Sequence, residues 1–222
     1  MKIIKINNSD KVNIKTTGEI ASTISDGKIV ILPTATIYGV SCIYNNKKAL
    51  EKVYKIKKRE RSIPFIILIS NLSSLNYLVE KINPAAKILI EHYWNIKNPS
   101  PLTIIFKKNK SMSSFTTSGS KKIAIRIAGL KFLRQIINIS GPIISTSATI
   151  SGQDKAPITI ESIPNEIKEK VDLIVNCQGS LSGVESTIVD ATDRKSAIIR
   201  EGEIKYTEIL EKLNICNLNI HL

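Results

Sequence analysis

Short apolar runs, broken by polar and turn-forming stretches, set the rhythm of this chain. Ile29, Val30, Ile31 and Leu32 form a continuous, largely β-branched run, the pattern of a strand buried on both faces. Pro33 ends it, because proline cannot donate to a central ladder. Similar runs at 64–70, 102–106, 123–127, 142–145, 171–175, 186–190 and 197–200 predict further strands, and 2–7 alternates weakly, as an edge strand would. Helical spacing begins near Asn46, with Leu50, Val53 and Tyr54 on one face. A helix is also expected from Asn71 through Leu72, Leu75, Leu78 and Val79. Asn83-Pro84 reads as an N-cap followed by proline at the first helical position, opening a helix through Leu89 and His92 to Trp94. Residues 130–139, 163–170 and 206–213 complete the helical set. Thr16 to Glu19 has the spacing of a capping box ahead of Ile20, Ala21 and Ile24, and Gly27 suits that helix's end. Thr34, Thr36 and Tyr38 supply hydroxyls on a predicted turn closed by Gly39. Residues 109–122, rich in Ser and Thr, read as a mobile loop.

Strands and helices mix throughout, with no repeat and no linker long enough to split the chain. The pattern predicts one α/β domain over residues 1–222, a twisted mixed sheet with flanking helices.

Composition narrows the classes. The chain has 222 residues, 42% hydrophobic and 23% charged, enough for a sizeable core. No apolar run approaches the ~20 residues of a membrane span, so no membrane partner is expected. The N-terminal MKIIKINNSDK lacks the apolar core of a signal peptide. Cys42, Cys177 and Cys216 are far apart with no CxxC pair, which fits a reduced cytoplasm. The two histidines, His92 and His221, form no His/Cys cluster with ligand spacing, so no protein metal site is predicted. The net charge of +13 has two readings: a polyanion partner such as RNA or nucleotide, or biased composition in a chain crowded with Ile, Lys and Asn.

Candidate chemistry gathers at strand ends. Hydroxyls cluster at Thr34/Thr36/Tyr38, at Ser145-Thr146-Ser147 with Ser151-Gly152, and at Ser186-Thr187. A basic knot, Lys57, Lys58, Arg59 and Arg61, ends a helix. Hydroxyls that orient and cations that neutralise would suit an oxyanion substrate. The serines could equally satisfy their own turns. Arg126 and Arg200 sit in or end apolar strands, where a charge needs a partner: an internal Asp or Glu, or a ligand carboxylate or phosphate. No P-loop, GxGxxG or GxSxG motif is present.

Several segments, in order, resemble the YrdC/TsaC family of threonylcarbamoyl-AMP synthases. GKIVILPTATIYGVS resembles G-x-(apolar)-PTETVYGLG, and KKR with Pro64 resembles K-x-R-P-x-x-x-P-L. Pro101-Leu102-Thr103 resembles the family P-L-T, IAIRIA the V-A-V-R-V-P strand, and IISTSATISG the S-T-S-A-N-x-S-G loop. GVESTIVD resembles G-x-x-S-T-I-V-D, and IIREGEI the closing R-x-G. The resemblance covers about residues 15–205 and implies a central concave site and no additional C-terminal domain.

It implies a nucleotidyltransferase that joins L-threonine, bicarbonate or CO2, and ATP into threonylcarbamoyl-AMP and pyrophosphate, for threonylcarbamoyladenosine in tRNA. By the same resemblance Lys57 and Arg59 would be electrostatic catalysts. Thr34, Thr36, Arg126, Ser145 and Ser186 would hold threonine. Lys57, Arg59, Ser147, Thr149, Lys155 and Arg200 would hold the nucleotide. Mg2+ would come with ATP, on phosphate oxygens. A tRNA contact and transfer to a downstream tRNA-modifying threonylcarbamoyltransferase complex are implied partners. This chain departs from the family pattern at Ala35 (acidic), Ile63 (polar), Leu68 (histidine) and Thr149 (asparagine), and its link from Trp94 to Pro101 is longer. Two other readings stand beside the synthase: a YciO-like nucleotide-binding paralogue with altered activity, and a basic RNA-binding module.

Overall fold

The computed structural model describes residues 2–7, 12–152, 156–177, 179, 181–193, 196–214 and 220–221. The chain opens with strand β1 (Lys2–Ile6), helix α1 (Ile14–Ser25), then β2 (Val30–Pro33) and β3 (Tyr38–Ile43). Helix α2 (Lys47–Lys57), β4 (Ile66–Ile69), the short α3 (Leu75–Leu78) and α4 (Pro84–Tyr93) follow. Next come β5 (Leu102–Lys107), β6 (Lys122–Ile127), α5 (Lys131–Ser140) and β7 (Ile143–Ser147). The remainder is α6 (Asn165–Lys168), β8 (Leu173–Cys177), β9 (Thr187–Asp190), β10 (Ser196–Arg200), α7 (Tyr206–Asn214) and β11 (Ile220–His221).

All strands join one mixed sheet in the order β1-β8-β2-β3-β7-β4-β6-β5-β9-β10-β11. The fold is therefore the mixed α/β domain that the pattern predicts, with β1 at an edge. Apolar side chains cover both faces. On one, α1 and α5 bring Ile20, Ile24, Phe132, Leu133 and Ile136 against Val30, Leu32 and Ile143. On the other, α2, α4 and α7 pack Leu50, Val53, Leu89 and Ile209 against Ile31, Ile67 and Ile125. Each such side chain is worth about 1.5–3 kcal/mol of transfer free energy. The first face is only partly covered. Its β4 residues Ile66 and Leu68 touch the α1/α5 core and also line an open cleft.

Several local expectations are corrected. The α1 N-cap is Asn13, whose side chain accepts from the Thr16 amide, so Thr16 and Glu19 lie inside the helix and form no capping box. Tyr38 and Gly39 belong to β3 and not to a turn, pairing antiparallel with both β2 and β7. The 109–122 segment is folded, with a 3-10 helix at Ser114–Thr117, buried Thr116 and Thr117, and a 2.7 Å bond between the Ser118 and Tyr54 hydroxyls. The predicted 163–170 helix shrinks to Asn165–Lys168, and the strand after it starts at Leu173. Asn46 and Asn83 do cap α2 and α4, through side-chain acceptors for the Ala49 and Ala86 amides.

Candidate active site

The link between β2 and β3 builds one wall of the site. Ala35 sits in the left-handed region at φ 74°, a conformation that costs an L-residue about 1–2 kcal/mol. The Ser182 and Gly183 amides hold it there by donating to the Ala35 and Thr36 carbonyls (3.1 and 2.9 Å). This kink brings the Thr34 carbonyl and the Thr36 hydroxyl to the same guanidinium. Arg126 Nη1 donates to Thr36 Oγ1 (3.2 Å) and Nη2 to the Thr34 carbonyl (3.1 Å). Thr34 Oγ1 donates to the Ile37 carbonyl at 2.7 Å and lies 3.1 Å from Thr36 Oγ1.

Arg126 is 5% exposed, and among the described residues it has no carboxylate at ion-pair distance. Its Nε has no hydrogen-bond partner among the described residues. Burial pushes its pKa down to about 10; Arg200 pushes the same way and Glu203 opposes. A guanidinium this isolated remains charged at neutral pH, so the internal salt bridge that could have explained it is not its partner. An anionic ligand is the remaining way to offset its burial.

Across the cleft, β7 supplies Ser145, whose hydroxyl accepts from Ser41 at 3.1 Å. A Cβ on Gly39 would collide with the Ser145 hydroxyl, so β3 can run this close only with glycine there. Ser186 pairs its hydroxyl with that of Thr103 on β5 at 2.9 Å. Arg200, at the end of β10, donates to the Ser186 carbonyl (2.8 Å) and ion-pairs with Glu185. A Cβ on Gly202 would strike the Glu185 carbonyl, which ties that turn to the same wall.

The cleft so formed has a volume of about 370 Å³. Thr34, Thr36, Arg126, Ser145 and Ser186 all line it, together with Arg59, Ser147 and Arg200. Its sheet floor is apolar, through Ile66, Leu68, Ile105 and Ala124. An adjoining recess of about 450 Å³ shares Arg59, Ile63 and Ser147 and adds Lys57, Thr149, Ser151 and Gly152. The residues expected to hold an amino acid thus share one lobe. Those expected to hold a nucleotide fall mainly in the second, and Arg200 stands in the first beside Ser186. Lys155 lies outside the described residues.

Lys57, a member of the basic knot, is not a surface cation. It is 1% exposed. Its ammonium donates to the Ser147 and Thr149 carbonyls, each at 2.5 Å, and to the Ser147 hydroxyl at 3.0 Å. Burial, reinforced by Arg59 and opposed by Glu185, pushes its pKa down to about 8. It therefore ties the 147–149 loop to α2, and the Ser151 amide adds a 3.0 Å bond to the Lys57 carbonyl. Arg59 is braced by the Ile63 and Pro64 carbonyls (3.1 and 3.2 Å) and stacks 5.4 Å from the Phe65 ring centroid. Burial lowers its pKa also.

Sequence reasoning missed Ser41, Thr103, Glu185 and Glu203. Ser41 and Thr103 carried a weak signal as polar residues inside apolar strands. Glu185 was the acidic neighbour of a candidate serine. Among the described residues, no group of three or more His, Cys, Asp or Glu could hold a metal ion. No helix there is long and apolar enough to cross a membrane.

Comparison with known proteins follows the same lines. The family model Sua5_yciO_yrdC, described as "Telomere recombination", matches residues 22–202. A threonylcarbamoyl-AMP synthase of Pyrococcus abyssi is 30% identical over 202 residues, covering 90% of this chain and 57% of that protein. A Methanocaldococcus jannaschii protein, given that activity provisionally, is 34% identical over 216 residues, covering 97% of this chain and 98% of its own. The structure of P. abyssi Sua5 complexed with L-threonine superposes with a TM-score of 0.88 at 27% identity, over 100% of this chain and 63% of that one. This chain thus spans little more than half of the P. abyssi protein. The chain belongs to the Sua5/YciO/YrdC family.

Proposed function

We propose that the two-lobed cleft joins L-threonine, bicarbonate and ATP into threonylcarbamoyl-AMP and pyrophosphate. The observation that carries this reading is Arg126: a buried guanidinium, held by the Thr36 hydroxyl and the Thr34 carbonyl, with no carboxylate at ion-pair distance among the described residues, lining a cleft that Arg59 and Arg200 also line. The names of the P. abyssi and M. jannaschii relatives, and the threonine bound to the P. abyssi structure, support it.

In this mechanism Arg126 binds the threonine carboxylate as a fork, and Thr36, Ser145 and Ser186 orient the amino acid. The threonine amine attacks CO2 derived from bicarbonate, forming an N–C bond and, after proton loss, a carbamate. A carbamate oxygen attacks the α-phosphorus of ATP. That P–O bond forms as the bond to the bridging oxygen breaks, and pyrophosphate leaves with the electron pair. No strong base is needed, since the nucleophile is already an anion. Arg59 stabilises the charge that spreads over the phosphorus oxygens, and Lys57 holds the 147–149 loop in place beside it, while Ser147, Thr149 and Arg200 hold the nucleotide.

Mg2+ bound to the triphosphate would supply further charge neutralisation. Glu185 is the carboxylate lining the main lobe and is paired with Arg200, so the chain's own residues fit a metal carried on phosphate oxygens better than a resident centre. The product is an activated carbamoyl donor for a tRNA-modifying threonylcarbamoyltransferase complex, and tRNA itself is a contact that the net charge of +13 would favour. The buried free thiol of Cys42 suits a reducing compartment such as the cytoplasm.

The test is pyrophosphate release from ATP measured with and without L-threonine and bicarbonate. Dependence on both supports the synthase. Nucleotide binding without threonine-dependent release favours the YciO-like reading, and salt-sensitive RNA affinity without turnover favours the RNA-binding module.

A further inference from the structure

We propose that Ser41 is a positioning residue for the amino acid, acting through Ser145; this rests on the reading that Ser145 holds L-threonine in the cleft. Ser41 lies on β3, flanked by Val30 on β2 and Ser145 on β7. Side chains alternate along a strand, so Gly39, Ser41 and Ile43 share one face of the sheet. Gly39 lines the cleft, whereas Ile43 packs in the α1/α5 core opposite Ile143. Ser41 therefore stands where the cleft stops and the core begins. It is fully buried. In the PTETVYGLG pattern that this segment resembles, glycine takes its place.

A buried hydroxyl adds little to apolar packing and costs free energy unless it is bonded. Among the described residues the Ser41 hydroxyl has one partner: it donates to Ser145 Oγ at 3.1 Å. A serine hydroxyl offers a single hydrogen together with its lone pairs. Ser41 gives its hydrogen to Ser145, so Ser145 accepts in that bond and keeps its own. Among the described residues no acceptor takes the Ser145 hydrogen, and Ser145 lines the cleft. That hydrogen is thus available to an acceptor oxygen of a ligand there.

The same bond fixes where the Ser145 oxygen stands. Ser145 Oγ occupies the space that a Cβ on Gly39 would enter. The Ser41 donor holds it over β3, in one staggered χ1 position among the alternatives open to a serine. Accepting from Ser41 also polarises the Ser145 O–H and strengthens its donation. Both effects bear on an oxygen of the amino acid. Neither bears on the nucleotide, whose expected contacts Lys57 and Thr149 line the adjoining recess.

The test is a double-mutant cycle read by binding. L-threonine is titrated by calorimetry into the wild-type chain, Ser41→Ala, Ser145→Ala and the double variant, and ATP is titrated separately into each. Ser41→Ala should weaken threonine binding about threefold to tenfold, the worth of one neutral hydrogen bond, and leave ATP affinity within about twofold of wild type. In the Ser145→Ala background the Ser41 change should alter threonine affinity by less than about twofold, because residues that act through one contact are not additive. A residue that merely supports the sheet would add its full loss in both backgrounds. Threonine affinity unchanged in Ser41→Ala, equal losses for threonine and ATP, or an undiminished loss in the Ser145→Ala background would each overturn the inference and leave the reading of the cleft standing. A wild-type chain that binds ATP but no threonine would overturn both.

Discussion

Lys57→Ala tests the unexpected burial of the clamp lysine. Pushing its pKa from 10.5 to about 8 corresponds to a penalty of roughly 3 kcal/mol for keeping the ammonium charged below pH 8. Against this stand three charge-assisted hydrogen bonds to the 147–149 loop, worth about 1.5–3 kcal/mol each. Burial still outweighs these bonds for the charged form, as the lowered pKa shows, but alanine would leave the Ser147 and Thr149 carbonyls without their donor. The variant should lose about 3 kcal/mol of stability, a fall in Tm of roughly 6–12 °C for a domain of this size. Lys58→Ala, which removes only an exposed ion pair with Glu166, should cost no more than about 1 kcal/mol. The pH dependence has a definite sign. Between about pH 8 and 10.5 the unfolded lysine binds a proton that the folded one has released, so this residue's contribution makes wild-type stability rise with pH in that window. The penalty is fully present below pH 8, and the rise should be absent from Lys57→Ala. Urea and thermal unfolding at pH 7 and pH 9.5 measure both effects. A Tm within about 1 °C of wild type at pH 7 would refute the buried clamp.

Arg126→Lys keeps the charge but loses the fork; it should raise the KM for threonine at least about tenfold and that for ATP much less, and equal effects in steady-state kinetics would place Arg126 elsewhere. Gly39→Ala forces a methyl into the Ser145 hydroxyl. It should cost about 1–3 kcal/mol in urea unfolding and weaken threonine binding by displacing Ser145. Thr149, whose hydroxyl lies 3.0 Å from that of Ser147, offers fewer hydrogen-bonding groups than asparagine. Thr149→Asn should tighten ATP binding about tenfold in calorimetry, the worth of one added bond to a charged group.

The fold was legible wherever one signal dominated. The runs at 29–32, 66–69 and 123–127 are too apolar to be anything but buried, and Asn46 and Asn83-Pro84 are unambiguous helix starts. The failures have physical causes. Strand β3 reads YGVSCI, and its Gly39 mimics the close of a turn although it is there because β7 approaches too closely for a Cβ. At α1, Asn13 takes the cap three residues ahead of Thr16, its side chain accepting from the Thr16 amide. Beside Lys58, Arg59 and Arg61, Lys57 reads as one more member of a basic knot, with nothing in that run to mark it as buried. Its position three residues after Tyr54, four after Val53 and seven after Leu50 puts it on the buried stripe of α2, and that phase was the available clue. The hydroxyl and arginine members of the cleft were legible as motifs. Their supports, Ser41, Thr103, Glu185 and the kinked Ala35, depend on strand register that no local pattern encodes.

The central claim is that this cleft couples threonine, a one-carbon acid and ATP. Mass spectrometry of a single turnover with carbon-13 bicarbonate tests it most directly. The account predicts a threonylcarbamoyl-AMP species that carries the label, appears in step with pyrophosphate, and is absent without threonine and greatly reduced in Arg126→Lys. Pyrophosphate release with no labelled adduct, or an adduct that forms equally well without threonine, would contradict it.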